Sequence, residues 1–151
     1  MVKIMFVCYG NICRSPMAEF LFKEMLRQNG EEGDFIVSSS ATSNEELNHQ
    51  VHYGTRNILN RLGIDCSNKR AVKLTKTDYD NFDYFIGMEE MNRRDMLRIF
   101  GGDKYKKVYI LPDFSSAVKD IADPYWTGDF NRTFNDITCC LKDFYKFLKN
   151  K

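Results

Sequence analysis

Between Lys3 and Pro16 a short apolar run, Lys3-Ile-Met-Phe-Val-Cys8, leads straight into Gly10-Asn11 and then into Ser15-Pro16. An apolar stretch of that length bounded by turn residues reads as a buried strand. Gly and Asn supply the turn. Ser15-Pro16 predicts a helix start, with the serine as N-cap and the proline at the first helical position. Met17, Leu21 and Met25 then recur at helical spacing, and Gly30 can end the helix. A strand joined to a helix by so tight a turn constrains the chain to an α/β design before anything else is read.

The rest of the sequence repeats the unit. Phe35 to Ser39 is a second strand, and a polar loop follows from Ser43 to Asn48. Val51, Ile58, Leu59 and Leu62 suit a second helix closed by Gly63, and Thr75 to Asp78 resembles a capping box for a short one. Asp83 to Met88 is a third strand, with a helix from Glu89 to Phe100 stopped by Gly101-Gly102. Lys107 to Leu111 is a fourth strand. A long irregular stretch, Pro112 to Gly128, precedes a final helix in which Phe130, Phe134, Ile137, Leu141, Phe144 and Leu148 form one apolar stripe. Strands alternating with amphipathic helices predict a parallel sheet with helices on both faces. The length, 151 residues, suits one domain spanning 1–151.

Several function classes fall away. The formal net charge of +1 gives no electrostatic footprint for nucleic acid or a membrane surface. No apolar run can span a bilayer, and the chain reads as cytoplasmic. Five cysteines without a secretory signal argue against a disulfide framework. With His49 and His52 as the only histidines and no Cys-x-x-Cys pair, no metal or other cofactor is expected. Neither histidine has an evident role.

The chemistry is concentrated in Cys8-Tyr9-Gly10-Asn11-Ile12-Cys13-Arg14-Ser15. A loop between a strand end and a helix N-terminus lies where open parallel sheets bind ligands. Its backbone N–H groups can converge into a nest for a dianion such as phosphate. Gly10 permits a backbone geometry that side chains would block, and Asn11 tolerates the left-handed region. Cys8 faces this positive environment, which favours its thiolate. Arg14 brings a planar fork that fits two phosphate oxygens, and Ser15 can hydrogen-bond the sulfur. A buried cysteine or a first-turn arginine alone would be unremarkable; their joint placement is not. No Walker-type Gly-Lys-Ser/Thr string follows the first strand.

The segment Cys8 to Pro16, with Asp123-Pro124 late in the chain, resembles the low-molecular-weight protein tyrosine phosphatases. Ser39-Ser40-Ala41-Thr42-Ser43 and Met88-Glu89-Glu90-Met91-Asn92 extend the resemblance along the whole length. It implies a four-stranded parallel sheet and a metal-independent hydrolase working through a phosphocysteine. Cys8 would be the nucleophile, Arg14 the phosphate clamp and Asp123 the general acid and base. Tyr9, Gly10, Asn11, Ile12, Cys13 and Ser15 would form the phosphate site. Glu46, Tyr125 and Trp126 would wall the pocket, and Asn11 and Ser39 would support the loop. Cys13 would be a redox partner able to form a reversible disulfide with Cys8. Expected partners are phosphotyrosine proteins or small aryl phosphates, with phosphate and other oxyanions as ligands. No nucleic acid or membrane partner is expected, and the protein is expected to be a monomer.

Some positions depart from the family pattern. Asn68 stands where the family often has histidine, Glu89 replaces an aspartate, and His52-Tyr53-Gly54 replaces an Asp-x-Arg pattern; none is expected to touch the catalytic set. The acidic Glu45 and Glu46 imply a preference for substrates without acidic flanks. Three alternatives stay open. Phosphoarginine phosphatases of this fold carry threonine where this chain has Ile12. Arsenate reductases of this fold need a downstream thiol relay, for which Cys66 and Cys139-Cys140 are poorly placed. The third is a non-catalytic phosphate-binding or redox module.

Overall fold

The computed structural model describes residues 1–151 and contains one four-stranded parallel sheet. Strands β1 (Val2–Cys8), β2 (Phe35–Ala41), β3 (Tyr84–Gly87) and β4 (Val108–Ile110) lie in the order β2-β1-β3-β4. Helices α1 (Arg14–Gln28), α2 (Tyr53–Arg61), α3 (Asp78–Asn81), α4 (Glu90–Phe100), α5 (Pro124–Thr127) and α6 (Phe130–Lys149) connect and cover them.

The alternation of side chains along β1 divides the interior. Ile4, Phe6 and Cys8 point to one face, where Met17, Phe22 and Leu26 of α1 and Ile137, Leu141 and Phe144 of α6 close over them. Met5 and Val7 point to the other, against Leu74, Phe85, Met96 and Phe100. Both faces of β1 are therefore apolar, which is why its sequence reads as a continuous run. Phe6, Phe22 and Phe144 meet with ring centroids 5.5–6.3 Å apart. Full burial of such side chains contributes roughly 1.5–3 kcal/mol each. On the second face, Gly87 lets α4 approach, because a Cβ there would stand 2.8 Å from Asn92 Cβ.

Local boundaries differ from the sequence reading in instructive ways. Strand β2 continues through Ala41, since Ser40 and Ala41 stay in register with Val7 and Cys8. Helix α1 begins at Arg14, with Cys13 as N-cap, so Ser15 and Pro16 lie inside its first turn. Ser15 is not the cap because its hydroxyl is directed to Cys8. Part of the stretch from Pro112 to Gly128 is ordered, as a 3-10 turn over Leu111–Phe114 and as α5. Helices α1, α2 and α4 stop at Gly30, Gly63 and Gly101, all in the left-handed region at positive φ. No helix is long and apolar enough to cross a membrane.

The strand order puts β1 between neighbours reached by opposite excursions of the chain. The crevice at its carboxyl end is the position where such sheets bind ligands, and the loop after Cys8 fills it.

Candidate active site

The loop from Cys8 to Arg14 is held from both sides. Thr42 N donates to Cys8 O at 3.0 Å, and Ser43 N and Oγ both donate to Tyr9 O. The Ser-Ser-Ala-Thr-Ser segment thus braces the first half of the loop. His52 N donates to Ile12 O at 2.9 Å, and Thr55 Oγ1 to Cys13 O at 3.0 Å. Asn11 takes the left-handed conformation with φ 60°. Gly10 does not; its missing side chain is explained by Glu46, whose Cγ would lie 3.3 Å from an added Cβ.

Within this frame, Cys8 is 3% exposed and its sulfur meets three polar groups. Asn11 N donates at 3.3 Å and Ser15 N at 3.4 Å, and Ser15 Oγ lies 3.0 Å away. Such donors suit a sulfur carrying negative charge. The other loop N–H groups, those of Tyr9, Gly10, Ile12, Cys13 and Arg14, make no hydrogen bond within the chain. These residues line a cavity together with Cys8, Glu46, Asp123, Tyr125 and Trp126.

Arg14 is 1% exposed. Its Nη1 donates to Ile121 O at 2.9 Å and pairs with Glu89, and its Nη2 reaches Asp123 Oδ2 at 3.4 Å. Burial works against its charge, but the negative charges of Cys8, Asp123 and Glu89 outweigh it and hold the guanidinium firmly protonated. Its Nε is buried with no partner. An orphaned buried donor costs about 1–3 kcal/mol, so an incoming oxyanion that accepts from it recovers that cost. The expectation that Glu89 stays clear of the catalytic set is therefore incorrect: Glu89 orients the arginine.

Asp123 is the N-cap of α5, accepting from Tyr125 N at 3.0 Å through Oδ1 while Oδ2 faces Arg14. Pro124 at the first helical position fixes the turn that presents it. Tyr125 and Trp126 are 56% and 81% exposed and pack edge to face at the cavity mouth. Burial, reinforced by the negative charges of Cys8 and Asp123, pushes the Cys13 thiol up, so it stays protonated.

Asn11, Ser15 and Ser39 lie behind the loop as a relay. Asn11 Nδ2 donates to Ser15 Oγ at 2.8 Å and to Ser39 Oγ at 2.9 Å, while its Oδ1 accepts from Val72 N at 3.1 Å. Asn11 and Ser15 were expected among the phosphate contacts; their side chains serve the scaffold, and only Ser15 Oγ reaches the sulfur. The relay continues to residues that the sequence reading missed. Ser39 Oγ donates to Glu19 at 2.6 Å, and Lys69 Nζ donates to Ser39 O at 2.9 Å while lying 3.9 Å from Glu19. Burial, helped by nearby Lys23, lowers the Lys69 pKa against the pull of Glu19 and Cys8. Asn68, the position flagged as a departure, is exposed and makes no hydrogen bond. Its neighbour Lys69 carries the contact instead. Glu45 also lines the cavity and accepts from Tyr9 Oη at 2.9 Å.

Comparison with known proteins gives one consistent picture. The profile described as "Low molecular weight phosphotyrosine protein phosphatase" matches residues 3–151. The chain is 36% identical over 132 residues to the low molecular weight protein-tyrosine-phosphatase YfkJ of Bacillus subtilis, covering 86% of this chain and 85% of that one. It is 33% identical over 146 residues to the human low molecular weight phosphotyrosine protein phosphatase, covering 93% and 92% of the two chains. The crystal structure of YfkJ superposes with a TM-score of 0.95, covering 99% of this chain and 96% of that one. A Drosophila arginine phosphatase, at 23% identity and a TM-score of 0.88 over 98% of each chain, shares the fold alone.

Proposed function

Because the chain belongs to the low molecular weight phosphotyrosine protein phosphatase family, we propose that it hydrolyses phosphotyrosine in proteins, and small aryl phosphates, through a phosphocysteine on Cys8. One observation carries this reading. The Cys8 sulfur accepts from loop amides at the floor of a cavity whose remaining amides and Arg14 Nε have no partner in the chain.

In the first step the Cys8 sulfur attacks phosphorus, forming the S–P bond as the bond to the phenolic oxygen breaks. Arg14 and the free loop amides hold the equatorial oxygens as charge builds on them. A dianion in the cavity competes with Asp123 for Arg14 Nη2, freeing the carboxyl group to face the leaving oxygen. Released from Arg14, Asp123 takes up a proton from water at the cavity mouth and gives it to the departing phenolate oxygen. In the second step Asp123 takes a proton from water, the oxygen attacks phosphorus, and the S–P bond breaks. The released thiolate returns to its bonds with Asn11 N, Ser15 N and Ser15 Oγ, which make it a better leaving group.

Tyr125, Trp126 and Ile12 support an aryl substrate, since all three offer apolar surface to the cavity. Ile12 also favours phosphotyrosine over phosphoarginine, because it has no hydroxyl to orient a guanidinium or a water. A thiol nucleophile requires a reducing compartment, and the reading places the enzyme in the cytoplasm. Cys13, buried in the same cavity wall, is the resolving thiol when Cys8 is oxidised.

The test is capture of the intermediate. Rapid acid quenching of Asp123→Ala turning over an activated aryl phosphate is expected to yield a Cys8 peptide carrying one phosphate. Turnover without any phosphate on Cys8 would contradict the mechanism.

A further inference from the structure

An open cleft adjoins the catalytic cavity and shares Ile12 and Glu46 with it as a common wall. Its floor is rigid. Asn48 N donates to Ala71 O and Ala71 N to His49 O, both at 2.9 Å, and Gln50 bridges antiparallel to Arg70. Two guanidinium groups line it, those of Arg56 and Arg70.

These two arginines are unlike the others that the fold anchors. Arg14, Arg27, Arg93 and Arg98 are each anchored to carboxylates. Arg56 and Arg70 are anchored to backbone carbonyls instead. Arg56 Nη1 donates to Val51 O at 3.1 Å, and Arg70 Nη1 donates to Ser67 O at 3.0 Å and Lys69 O at 3.1 Å. In both, Nη2 and Nε make no hydrogen bond and no carboxylate lies within ion-pair distance. Each guanidinium is thus held in place with part of its planar fork unused, an arrangement that matches a carboxylate at little entropic cost. The N-terminus of α2 opens onto the same cleft through Tyr53 and adds positive potential.

Of the two acidic residues in the adjoining loop only Glu46 lines this cleft, and both are already engaged. Glu46 pairs with His49 Nδ1 at 2.6 Å, and Glu45 accepts from Tyr9 Oη. The preference for substrates without acidic flanks, expected from Glu45 and Glu46 alone, leaves Arg56 and Arg70 out of account.

We propose that this cleft is a specificity subsite that takes an aspartate or glutamate side chain flanking the phosphotyrosine of the substrate polypeptide, with Arg56 and Arg70 as its cations. The proposal rests on the phosphotyrosine reading of the adjoining cavity. Its sign is opposite to the one the acidic loop implies, so the two are separable by one experiment.

That experiment compares kcat/KM at low ionic strength for three phosphotyrosine peptides that differ only in whether their flanks carry aspartate, alanine or lysine. The aspartate peptide is expected to lead the alanine peptide by roughly three- to tenfold, the size of one or two partly exposed ion pairs. The lysine peptide is expected to be the slowest. High salt is expected to compress the ratios. Arg70→Glu is expected to reverse the order and Arg56→Ala to shrink it. Because ratios within one variant are read, a general loss of activity does not enter, and either variant suffices if the other fails to fold. Equal rates for the three peptides, or a slower aspartate peptide, would overturn the subsite while leaving the phosphatase reading intact. An aspartate preference that survives both substitutions would overturn its assignment to this cleft. Release from none of the peptides would remove the phosphatase reading and the subsite together.

Discussion

Arg14 Nη2 lies 3.4 Å from Asp123 Oδ2, although 109 positions separate the two residues in the chain. The contact joins the proposed phosphate clamp to the proposed general acid. Arg14 is fixed from behind by Ile121 O and Glu89, so of its partners Asp123 is the one expected to give way to an oxyanion. Its α5 cap through Tyr125 N keeps it at the cavity mouth when it does.

Asp123→Ala is therefore expected to act on the leaving group. With phosphotyrosine, a poor leaving group, kcat is expected to fall roughly 10²–10³-fold, within the usual range for loss of a general acid. With an activated nitrophenyl ester the loss should stay within about tenfold, because that phenolate departs without a proton. The plot of kcat against leaving-group acidity decides the matter. A uniform loss across the series would make Asp123 a structural cap only.

Lys69→Met tests the relay behind the loop. It removes a donor from Ser39 O and a cation near Glu19, which is 5% exposed and keeps only Lys23 at close range. A loss of about 2 kcal/mol is expected from the weakened buried cluster, or roughly 4–8 °C in Tm for a chain of this size. A fall in kcat is expected as well, because Ser39 and Asn11 set the position of Ser15 Oγ. Lys69→Arg should restore part of both. Unchanged Tm and kcat in the methionine variant would remove Lys69 from the support of the loop.

His52 gives the protein a pH-dependent helix start. Its Nδ1 accepts from Gly54 N at 3.1 Å as the N-cap of α2, a role that only the neutral ring can fill. Burial, followed by the charge of Arg56, lowers its pKa from the ordinary 6.5, against the opposing charges of Glu46 and Asp123. A group with a depressed folded pKa binds fewer protons folded than unfolded, so its stabilisation is present above about pH 6.5 and is lost as pH falls through the folded value. Losing the cap costs about 1 kcal/mol, roughly 2–4 °C in Tm. His52→Asn retains a good cap that does not titrate. The wild type is expected to lose more Tm than this variant on acidification, by about that amount. Parallel Tm curves would contradict the assignment.

The oxidised state offers an independent check on Cys8 and Cys13. Peroxide is expected to convert the Cys8 thiolate to a sulfenic acid, and the Cys13 thiol then displaces water to form the disulfide. Activity should be lost and then regained with a thiol reductant. Peptide mapping should show a loop lighter by two hydrogens. Cys13→Ser should turn the loss irreversible. A loop that keeps both thiols while activity disappears would contradict the pairing.

Local features of the fold were readable in the sequence because they depend on neighbours along the chain. Alternate residues of β1 serve opposite faces, and both sets are apolar, so the strand is legible as a run. Asn11 in a Gly-Asn turn and the glycines that end the helices follow from backbone sterics. Ser15-Pro16 misled because its local signal is that of a cap, whereas the sulfur of Cys8 competes for the hydroxyl and wins. What escaped was tertiary. Nothing near Glu89 in the sequence announces that it reaches Arg14, 75 positions away. Lys69 sits beside the exposed Asn68, and only the direction of the chain at the end of that turn decides which of the two enters the relay. Arg56 and Arg70 are ordinary surface arginines until the 48–50 and 70–71 backbones are seen to pair. His52 offered no role in sequence because capping by its ring nitrogen depends on where α2 begins.

The most direct measurement is phosphate release from matched phosphotyrosine, phosphoserine and phosphoarginine peptides, with the wild type and Cys8→Ser side by side. Fast release from the phosphotyrosine peptide alone, abolished in the variant, is the predicted result. Release that persists in Cys8→Ser, or a preference for phosphoarginine despite Ile12, would contradict the account at its centre.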